Sequence, residues 1–524
     1  MSNVIIKSII ENPHPVYLAN KNYWDFLLQS YEGGVDYCNA YITGTSTITS
    51  LKDSLFRVFV AGKEQVQSVA SGNLFRHPKE RVDDYNERLR MSFYYNFCAP
   101  IIDIYTNHLF KDAVNEDFES IEPTMDEIRD NVDMKESSIE EFRRDLAEVT
   151  QIYGHSFVVV DSPALSTGNI LTRQDQINER AFPYVSIYHP QNVINWSLDK
   201  FGNPHWVMLR EAEERNTDYT AFDKNKKHKC NYKLWTRNEW YLYDEEYNLI
   251  DAGAHALGIV PVVCVFDKRS RKQVNFLGVS SLADIGFIAR DIYNSSSELK
   301  QILRDQTFAF LAIQGSASEY DELSVGTSKA LLYPEGRAVP SYISPPSSNA
   351  DTYFTHIDRQ VRKIYQLAKL EGGSATQEQT AQQQTGVSKA WDFNETNTAL
   401  AKKALNLEDG EMKIWKIMAL WEGKEFDGTI KYPNEFSIQS LMDDLVEAEK
   451  SSRLALGETF DLEVRKAIQK KKFPRATEEE LQTMENEAKA KLGEMNNMDN
   501  ANGAMANRFR GFFNANSGGN GGGR

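Results

Sequence analysis

The sequence predicts a helix-rich α+β fold, and three observations predict it. Segments of strand composition cluster between 156 and 266 instead of alternating with helices, which argues against a doubly wound parallel sheet. Helical periodicity dominates the residues before this cluster. Three long helical runs follow it, at 280–306, 351–370 and 388–421. These observations indicate one large mixed domain followed by an extended helical region.

The elements of the first domain follow from periodicity and turn signals. We expect helices around 23–28, over 85–110 and over 124–153, and Pro100 predicts a kink or a break in the second of them. The expected strands are short apolar runs bounded by turns: 156–160, 183–196, 206–211, 232–235, 240–243 and 259–266.

The helical region has a distinctive order. The first long helix is followed by short strands and turns over 307–346, and then by the second helix. Next comes 372–386, GGSATQEQTAQQQTG, whose only charge is Glu378 and which is too polar to build a core. The third helix, capped by Ser388, spans about 34 residues, or roughly 50 Å. The sequence therefore predicts a polar loop held between stiff helices.

Less structure is expected near the C-terminus. A short strand at 428–432 precedes charged helices at 438–456, 461–472 and 477–492. The last residues, 496–524, are too poor in apolar side chains to fold.

Composition and charge restrict the class of protein. A hydrophobic content of 41% over 524 residues suffices for real cores and roughly two to four domains. The longest apolar run, 259–266, is far shorter than the roughly 20 residues that cross a bilayer, so we expect no membrane partner. The first residues lack the features of a secretory signal, which predicts synthesis in a cytoplasm. A net charge of -16 argues against a protein that wraps nucleic acid, but it permits one that lets DNA slide past.

The search for catalytic and metal-binding motifs finds none. The patterns G-x-x-x-x-G-K-[ST], H-E-x-x-H and G-x-S-x-G are absent. His14, His77 and His189 each precede a proline, where a structural role is expected. The cysteines are too scattered for a zinc site or a disulfide framework: Cys38, Cys98, Cys230 and Cys264. We therefore expect no enzyme, no cofactor and no catalytic or metal site.

Short motifs occur in a particular order along most of the chain. They are Pro15-Val16-Tyr17 with Trp24 and Gly33-Gly34, Tyr94-Tyr95-Asn96-Phe97, GHSFVVVDSP at 154–163, the set Tyr188, Asn192, Ile194, Asn195 and Trp196, and Leu282-Ala283-Asp284 with Tyr293, Ser296 and Ser297. Over residues 12–425 their order resembles that of tailed-bacteriophage portal proteins, the head-tail connectors.

The resemblance implies a portal-like architecture of eight segments. These are a wing (1–276), a stem helix (277–306), a small α/β clip (307–349), a second stem helix (350–371), a tunnel loop (372–388), a long channel helix with the return to the wing (389–436), a helical crown (437–495) and a disordered tail (496–524).

The resemblance also implies a function. The expected assembly is a homo-oligomeric ring, commonly a dodecamer, at one capsid vertex of the virion, assembled in the host cytoplasm. It would be the conduit for genome packaging and ejection. The implied partners are the terminase large subunit, the major capsid protein, a head-tail adaptor, and double-stranded DNA that passes without sequence specificity.

Two sets of site residues follow from the resemblance. The tunnel loop would face the DNA with glutamines instead of basic residues: Gln377, Gln379, Gln382, Gln383 and Gln384. The clip would contact the terminase or the adaptor through Glu319, Asp321, Glu322 and Arg337. A second apolar stripe on the stem helices would pack against neighbouring subunits, and the candidates for it are Tyr293, Leu299, Phe354 and Tyr365.

Two alternatives stay open at the level of the sequence. One is an intracellular α+β hydrolase that assembles its site from scattered carboxylates and histidines, with 372–386 as an active-site lid. The other is a scaffold or tail adaptor, which the size of the first domain disfavours.

Overall fold

The computed structural model describes a defined part of the chain: residues 3–38, 72–77, 79–163, 173–213, 229–272, 275–307, 310–312, 341–343, 347–370, 386–434, 436, 482–484 and 486. The chain divides into two compact units, 1–110 with 114–435 and 111–113 with 436–524. In the second unit, a single helical turn at 482–484 is described. All elements named below belong to the first unit.

Helices precede and follow the main group of strands in the first unit. They are α1 (Asn3–Glu11), α2 (Pro15–Glu32), α3 (Gly34–Cys38), α4 (Val82–Met91), α5 (Cys98–Leu109), α6 (Glu122–Ile128), α7 (Ile139–Tyr153), α8 (Arg173–Glu179), α9 (Ala283–Thr307), α10 (Ser347–Leu367) and α11 (Gly386–Trp421).

The described residues form twelve strands, and eight of them lie between α7 and α9, as the sequence predicts for an α+β fold. They are β1 (Asn115–Asp117), β2 (His155–Asp161), β3 (Tyr184–Tyr188), β4 (Val193–Leu198), β5 (Pro204–Glu213), β6 (Lys229–Thr236), β7 (Glu239–Tyr243), β8 (Leu249–Ala254), β9 (Val262–Phe266), β10 (Phe310–Ala312), β11 (Ser341–Ile343) and β12 (Thr429–Lys431).

The strands form four antiparallel sheets. A five-stranded meander has the order β4-β5-β6-β7-β8, and a three-stranded sheet has the order β3-β2-β9. The pairs β1–β12 and β10–β11 complete the set. The sequence does not predict strand β8, because its residues show no apolar alternation. In the structure, Leu249 and Ile250 of this strand are both exposed.

The centre of the first unit is strand β2. Every residue from His155 to Asp161 is buried. Because alternate residues of a strand point to opposite faces, burial at every position means that both faces are covered. Helices α7 and α11 both pack against this small sheet. The core of the unit therefore lies between these two helices and the strands β2 and β9.

Gly154 closes helix α7 and sets the path of the chain into β2. Its φ of 86° lies in the left-handed region, where glycine is favoured. A Cβ atom at this position would lie 2.4 Å from the carbonyl carbon of Val279. Nearby, Ser280 Oγ donates a hydrogen bond to Ile152 O at 2.5 Å. The segment that leads into α9 is thus fastened to the end of α7.

Two helices that the sequence predicts as continuous are each divided in two. The helix predicted over 85–110 stops at Met91 and resumes at Cys98, and Pro100 lies in the first turn of α5, where proline is tolerated. The break occurs earlier than Pro100 because Asn96 Oδ1 accepts hydrogen bonds from the amides of Cys98 and Ala99.

The helix predicted over 124–153 is interrupted by 129–138. Ser138 and Glu141 form a capping box: Ser138 Oγ accepts from the Glu141 amide at 3.2 Å, and the Glu141 carboxylate accepts from the Ser138 amide at 2.9 Å. Met134 and Glu136, both with positive φ, lie in the turn before the cap. A new helix therefore starts at Ile139.

Candidate functional site

Helices α9 and α10 form an antiparallel pair whose distal ends lead to a small ladder. In this ladder, Phe310 pairs with Ile343 and Ala312 pairs with Ser341. Tyr353 near the start of α10 contacts Glu298 near the end of α9, whereas Gln360 further along α10 contacts Asp291 earlier in α9. The chain therefore runs out along α9, turns through the ladder and returns along α10.

Several polar contacts connect α9 and α10. Tyr353 Oη donates to Glu298 Oε2 at 2.7 Å, and this hydrogen bond, with burial, raises the pKa of Tyr353 to about 12. Asp291 Oδ2 lies 2.8 Å from Gln360 Nε2, which donates to it, and 2.9 Å from His356 Nε2. Since His356 and Asp291 are both nearly half exposed, this pair contributes little stability.

Much of α10 is left uncovered. From Ala350 to its end at Leu367 the helix has two buried residues, Ala350 and Ile364, while Phe354 and Leu367 are each 50% exposed. An isolated helix with so narrow a buried stripe is marginal in water. The outer face of α10 therefore exposes apolar side chains that a further contact could bury.

The predicted second stripe on the stem helices is wrong at two of its four positions. Tyr293 is 1% exposed and Leu299 is 7% exposed, so both lie in the chain's own core. Tyr293 packs edge-on against Tyr37, with ring centroids 5.5 Å apart. The sequence shows that these residues are apolar, but it does not show that α2 to α4 cover the first half of α9. Tyr365 is partly buried, and Phe354 remains available to a neighbour.

Helix α11 is a single uninterrupted element of 36 residues, about 54 Å long. Eight apolar residues are predicted for its core face: Trp391, Leu400, Ala404, Leu407, Ile414, Trp415, Met418 and Trp421. All but the first and the last of them are buried, Trp421 is partly buried, and the side chain of Trp391 lies outside the described residues. The exposed residues fall three or four apart and form an outer stripe: Thr398, Lys402, Leu405, Asp409, Lys413, Lys416 and Leu420. One side of α11 is thus bound to the sheet, and the other faces outward.

A buried ionic network holds the middle of α11. Glu411 is completely buried, and Glu411 Oε1 accepts from Arg143 Nε at 2.8 Å and from Trp415 Nε1 at 2.9 Å. Its other oxygen accepts from Tyr432 Oη at 2.7 Å, and Arg143 Nη2 also lies 2.6 Å from Glu116 Oε2. Burial lowers the pKa of Arg143, but Glu411 and the groups around it outweigh burial and raise it. Arg143 is therefore held in its charged form.

A second polar link connects α11 to the start of α9. Lys403 Nζ lies 2.6 Å from Asp267 Oδ1, and Ser281 Oγ donates to the other carboxylate oxygen at 2.6 Å. Asn406 Nδ2 donates to the Asp267 carbonyl at 2.6 Å. Asp267 therefore links Ser281, which lies two residues before α9, to the middle of α11.

The two flanks of the polar segment 371–385 are fastened at one place. Thr396 Oγ1 donates to Lys369 O, and Tyr105 Oη donates to Ala368 O. The residues just after α10 are therefore bound both to α5 and to the third turn of α11. Residues 386–395 of α11 precede this anchor and correspond to about 15 Å of helix.

The predicted site residues themselves lie outside the described residues. This holds for the glutamines of the tunnel loop, Gln377, Gln379, Gln382, Gln383 and Gln384, and for the clip residues Glu319, Asp321, Glu322 and Arg337. Their roles stay predictions. The structure adds the hydrogen bonds that anchor the residues on either side of the predicted tunnel loop. It also adds the ladder formed by 310–312 and 341–343, which lies within the predicted clip.

Two further properties concern the described residues only. No three His, Cys, Asp or Glu side chains in them come together as metal ligands would. No helix within the same residues is both long enough and apolar enough to cross a bilayer.

Comparisons with known proteins match part of this chain. A family described as Domain of unknown function (DUF4055) matches residues 281–422, and no curated protein matches. Among solved structures, a chain of the "Neck of empty GTA particle computed with C6 symmetry" is 11% identical with a TM-score of 0.39, and the match covers 68% of this chain and 85% of that chain. A chain of the "Virion of native gene transfer agent (GTA) particle" is 10% identical with a TM-score of 0.36, covering 68% and 84%.

TM-scores below 0.5 do not establish a shared fold, so neither solved structure assigns a function to this chain. The family match begins at Ser281, which is bonded to Asp267, and ends just after α11. The matched residues are therefore the helical region, α9 to α11, and not the five-stranded sheet.

Proposed function

We propose that this chain is the portal subunit of a tailed phage or a related particle. The observation that carries the proposal is the order of elements in the helical region: α9, the small ladder, antiparallel α10, the anchored polar segment 371–385, and α11. The resemblance of the sequence motifs to portal proteins supports the same function.

The exposed surface of α10 favours a subunit that is completed by its neighbours. With Phe354 and Leu367 half exposed, α10 presents apolar area that a second copy could cover at about 25 cal/mol per Å². Closed rings are built from such heterologous contacts between identical chains. On this proposal about twelve copies surround an axial pore at one capsid vertex, with α9 and α10 as the stem.

The proposed pore suits the chemistry of the polar segment. Glutamine amides offer DNA uncharged hydrogen bonds, whereas each lysine or arginine contact to phosphate adds salt-dependent affinity and hence drag. Residues 372–388 would then be the tunnel loop, and 389–436, which contain all of α11 after its first three residues, would be the channel helix and the return to the wing. Residues 307–349 would be the clip, of which the last three already belong to α10. The remaining segments would be the wing (1–276), the crown (437–495) and the tail (496–524).

The partners of the proposed subunit follow from its place in the particle. The clip would dock the terminase large subunit during packaging and a head-tail adaptor afterwards. The wing would meet the major capsid protein, and double-stranded DNA would pass through the pore in both directions without sequence specificity.

Deletion of 373–384 tests the tunnel-loop role. Because Thr396 and Tyr105 hold the flanks of the segment independently of these residues, we expect the deletion to leave the ring intact. We expect it to impair packaging or retention of DNA, measured as DNA content per particle. Truncation of the same length at the C-terminus, 513–524, is the matched control and should package normally. Normal DNA content with the internal deletion would refute the role.

The hydrolase alternative finds no support in the described residues. His155 is buried among aromatic rings, His14 stacks on Trp196 with centroids 4.0 Å apart, and His356 pairs with Asp291 between two helices. These three histidines lie in three different environments and do not converge on a common pocket.

A further inference from the structure

A groove of about 890 Å³ lies on the first unit, away from the stem pair. Its walls are the turn between β4 and β5, the residues around β9, the loop that follows β9, and the C-terminal half of α11. The outer stripe of α11 contributes Lys413, Lys416 and Leu420 to it. The groove is therefore built from elements that are far apart in the sequence.

The charge of this groove is opposite to that of the chain. Its lining contains one acidic residue, Asp199, and five basic residues, which are Arg237, Arg269, Lys272, Lys413 and Lys416. The local formal charge is thus +4 on a chain with a net charge of -16. Such a concentration of one sign in a concave site attracts ligands of the opposite sign.

Part of this positive charge is not neutralised within the described residues. Arg237 pairs with Asp199 at 3.5 Å, and Lys413 pairs with Asp409 at 3.1 Å. Lys272 and Lys416 have no acidic partner in the residues that the structure describes. At least two ammonium groups at the rim are consequently available to an external carboxylate.

The groove also presents apolar side chains to water. Phe201 is 78% exposed, and Ile259 and Leu420 are each 41% exposed. Beneath them, the floor is formed by residues such as Val260 and Ile417, which are buried. A ligand that contacts the three exposed residues would gain hydrophobic free energy in addition to charge pairing.

Cys264 lines the groove together with two of the cations, Arg269 and Lys413. Burial raises the pKa of Cys264, whereas Arg269, from the loop after β9, and Lys413, from α11, lower it. The five basic residues of the lining come from the turn after β6, the loop after β9 and α11, so the positive charge is not confined to one helix.

We propose that this groove docks an acidic, amphipathic peptide segment of a partner protein. The segment places its carboxylates against Lys272 and Lys416 and its apolar side chains on Ile259 and Leu420. A protein is favoured over nucleic acid because a phosphate backbone would satisfy the lysines but leave the apolar floor without contacts. The groove includes part of α11, but the proposal rests on the charge and the exposed side chains of the groove itself, so its test does not depend on the proposed function.

The test uses the full chain and a defined probe. The probe is a fluorescein-labelled amphipathic peptide of about 12 residues, with leucine on one helix face and glutamate on the other, followed by fluorescence anisotropy. We expect saturable binding that Lys416→Glu and Lys272→Glu each weaken at least tenfold. Leu420→Ser should weaken binding several-fold, and Lys135→Glu, an equal charge change at an exposed site elsewhere, should leave it unchanged.

Three results would overturn the proposal. The first is no saturable binding of the peptide. The second is an equal loss of affinity in Lys135→Glu, which would indicate non-specific attraction. The third is full affinity in Leu420→Ser together with tighter binding of a double-stranded oligonucleotide, which would make the groove a nucleic-acid site. Thermal unfolding of each variant checks that these exposed substitutions leave the fold intact.

Discussion

The core around α11 and the outer part of the stem pair differ in how completely the chain buries them. Around α11, strand β2 is buried at every position and Glu411 has all its partners inside the chain. Along α10, the exposed residues outnumber the buried ones, and the contacts to α9 are partly exposed hydrogen bonds. The core around α11 is therefore stabilised by contacts within the chain, whereas the outer part of the stem pair has a surface that another copy could cover.

The largest effect is expected in the core, at Glu411. Glu411→Ala leaves Arg143 buried without its main partner and frees the Trp415 and Tyr432 donors, so we expect a loss of about 3 to 5 kcal/mol in the free energy of unfolding. Urea unfolding measures it. Asp409→Ala, on the outer stripe of the same helix, should change stability by less than about 0.5 kcal/mol. Equal effects at the two sites would show that the buried network around Glu411 does not hold α11 in the core.

The next effect depends on pH and concerns His155. Complete burial lowers the pKa of His155 from 6.5 to about 4, so the folded chain resists protonation of this ring. Between pH 6.5 and pH 4 the unfolded chain takes up the proton first, and stability falls with falling pH by about 3 kcal/mol from this residue. The measurement is urea unfolding at both pH values.

The control for this pH effect is a pair of variants. In His155→Phe the stability difference between the two pH values should shrink by that amount, whereas the exposed His205→Phe should keep the wild-type difference. If the difference in His155→Phe equals that of the wild type, His155 does not carry the pH dependence.

A smaller effect is expected where α11 touches β9. A Cβ atom on Gly410 would lie 2.7 Å from Val265 Cγ1 and 2.9 Å from Cγ2, so Gly410→Ala crowds this contact. We expect a net loss of about 1 to 2 kcal/mol, because overpacking exceeds the gain in helix propensity of about 1 kcal/mol. Adding Val265→Ala should make Gly410→Ala less harmful than it is alone. A stabilised single variant would show that the helix can move away from the sheet.

The smallest effect on folding is expected on the outer face of α10. Phe354 is half exposed, so Phe354→Asp should change the free energy of unfolding by less than about 1 kcal/mol. The same substitution should reduce the oligomer fraction seen by light scattering, because it places a charge in the contact that we propose. Thr355→Asp adds the same charge at the next exposed position and is the control for charge alone. Unchanged oligomers in Phe354→Asp would exclude this face from the subunit contact.

Much of the fold could be predicted because its signals are local. A short continuous apolar run places β2 and a period of 3.6 residues places α11, and most of the buried face of α11 lies where its apolar spacing puts it. Local signals also existed for the missed breaks, since Asn96 and the Ser138-Glu141 capping box both precede helix starts. The apolar periodicity continues through these signals over 85–110 and 124–153, and for this reason each segment is predicted as one unbroken helix.

The candidate site could be predicted only in part because its geometry is not local. Glu411 is the one local hint, since a carboxylate at a position three or four residues from Leu407 and Trp415 interrupts an apolar stripe and implies a buried partner. Nothing in the sequence indicates that Arg143, hundreds of residues earlier, supplies that partner. Tertiary packing also buries Tyr293 and brings Lys272 and Lys416 to one groove, and neither could be predicted from local sequence patterns.

The central claim is that identical copies of this chain share their α9–α10 pairs around a common pore. Negative-stain images of the purified full-length chain at micromolar concentration test it most directly. We predict rings with an axial hole and a subunit count near twelve. A monodisperse monomer, or a compact particle without a hole, would contradict the claim.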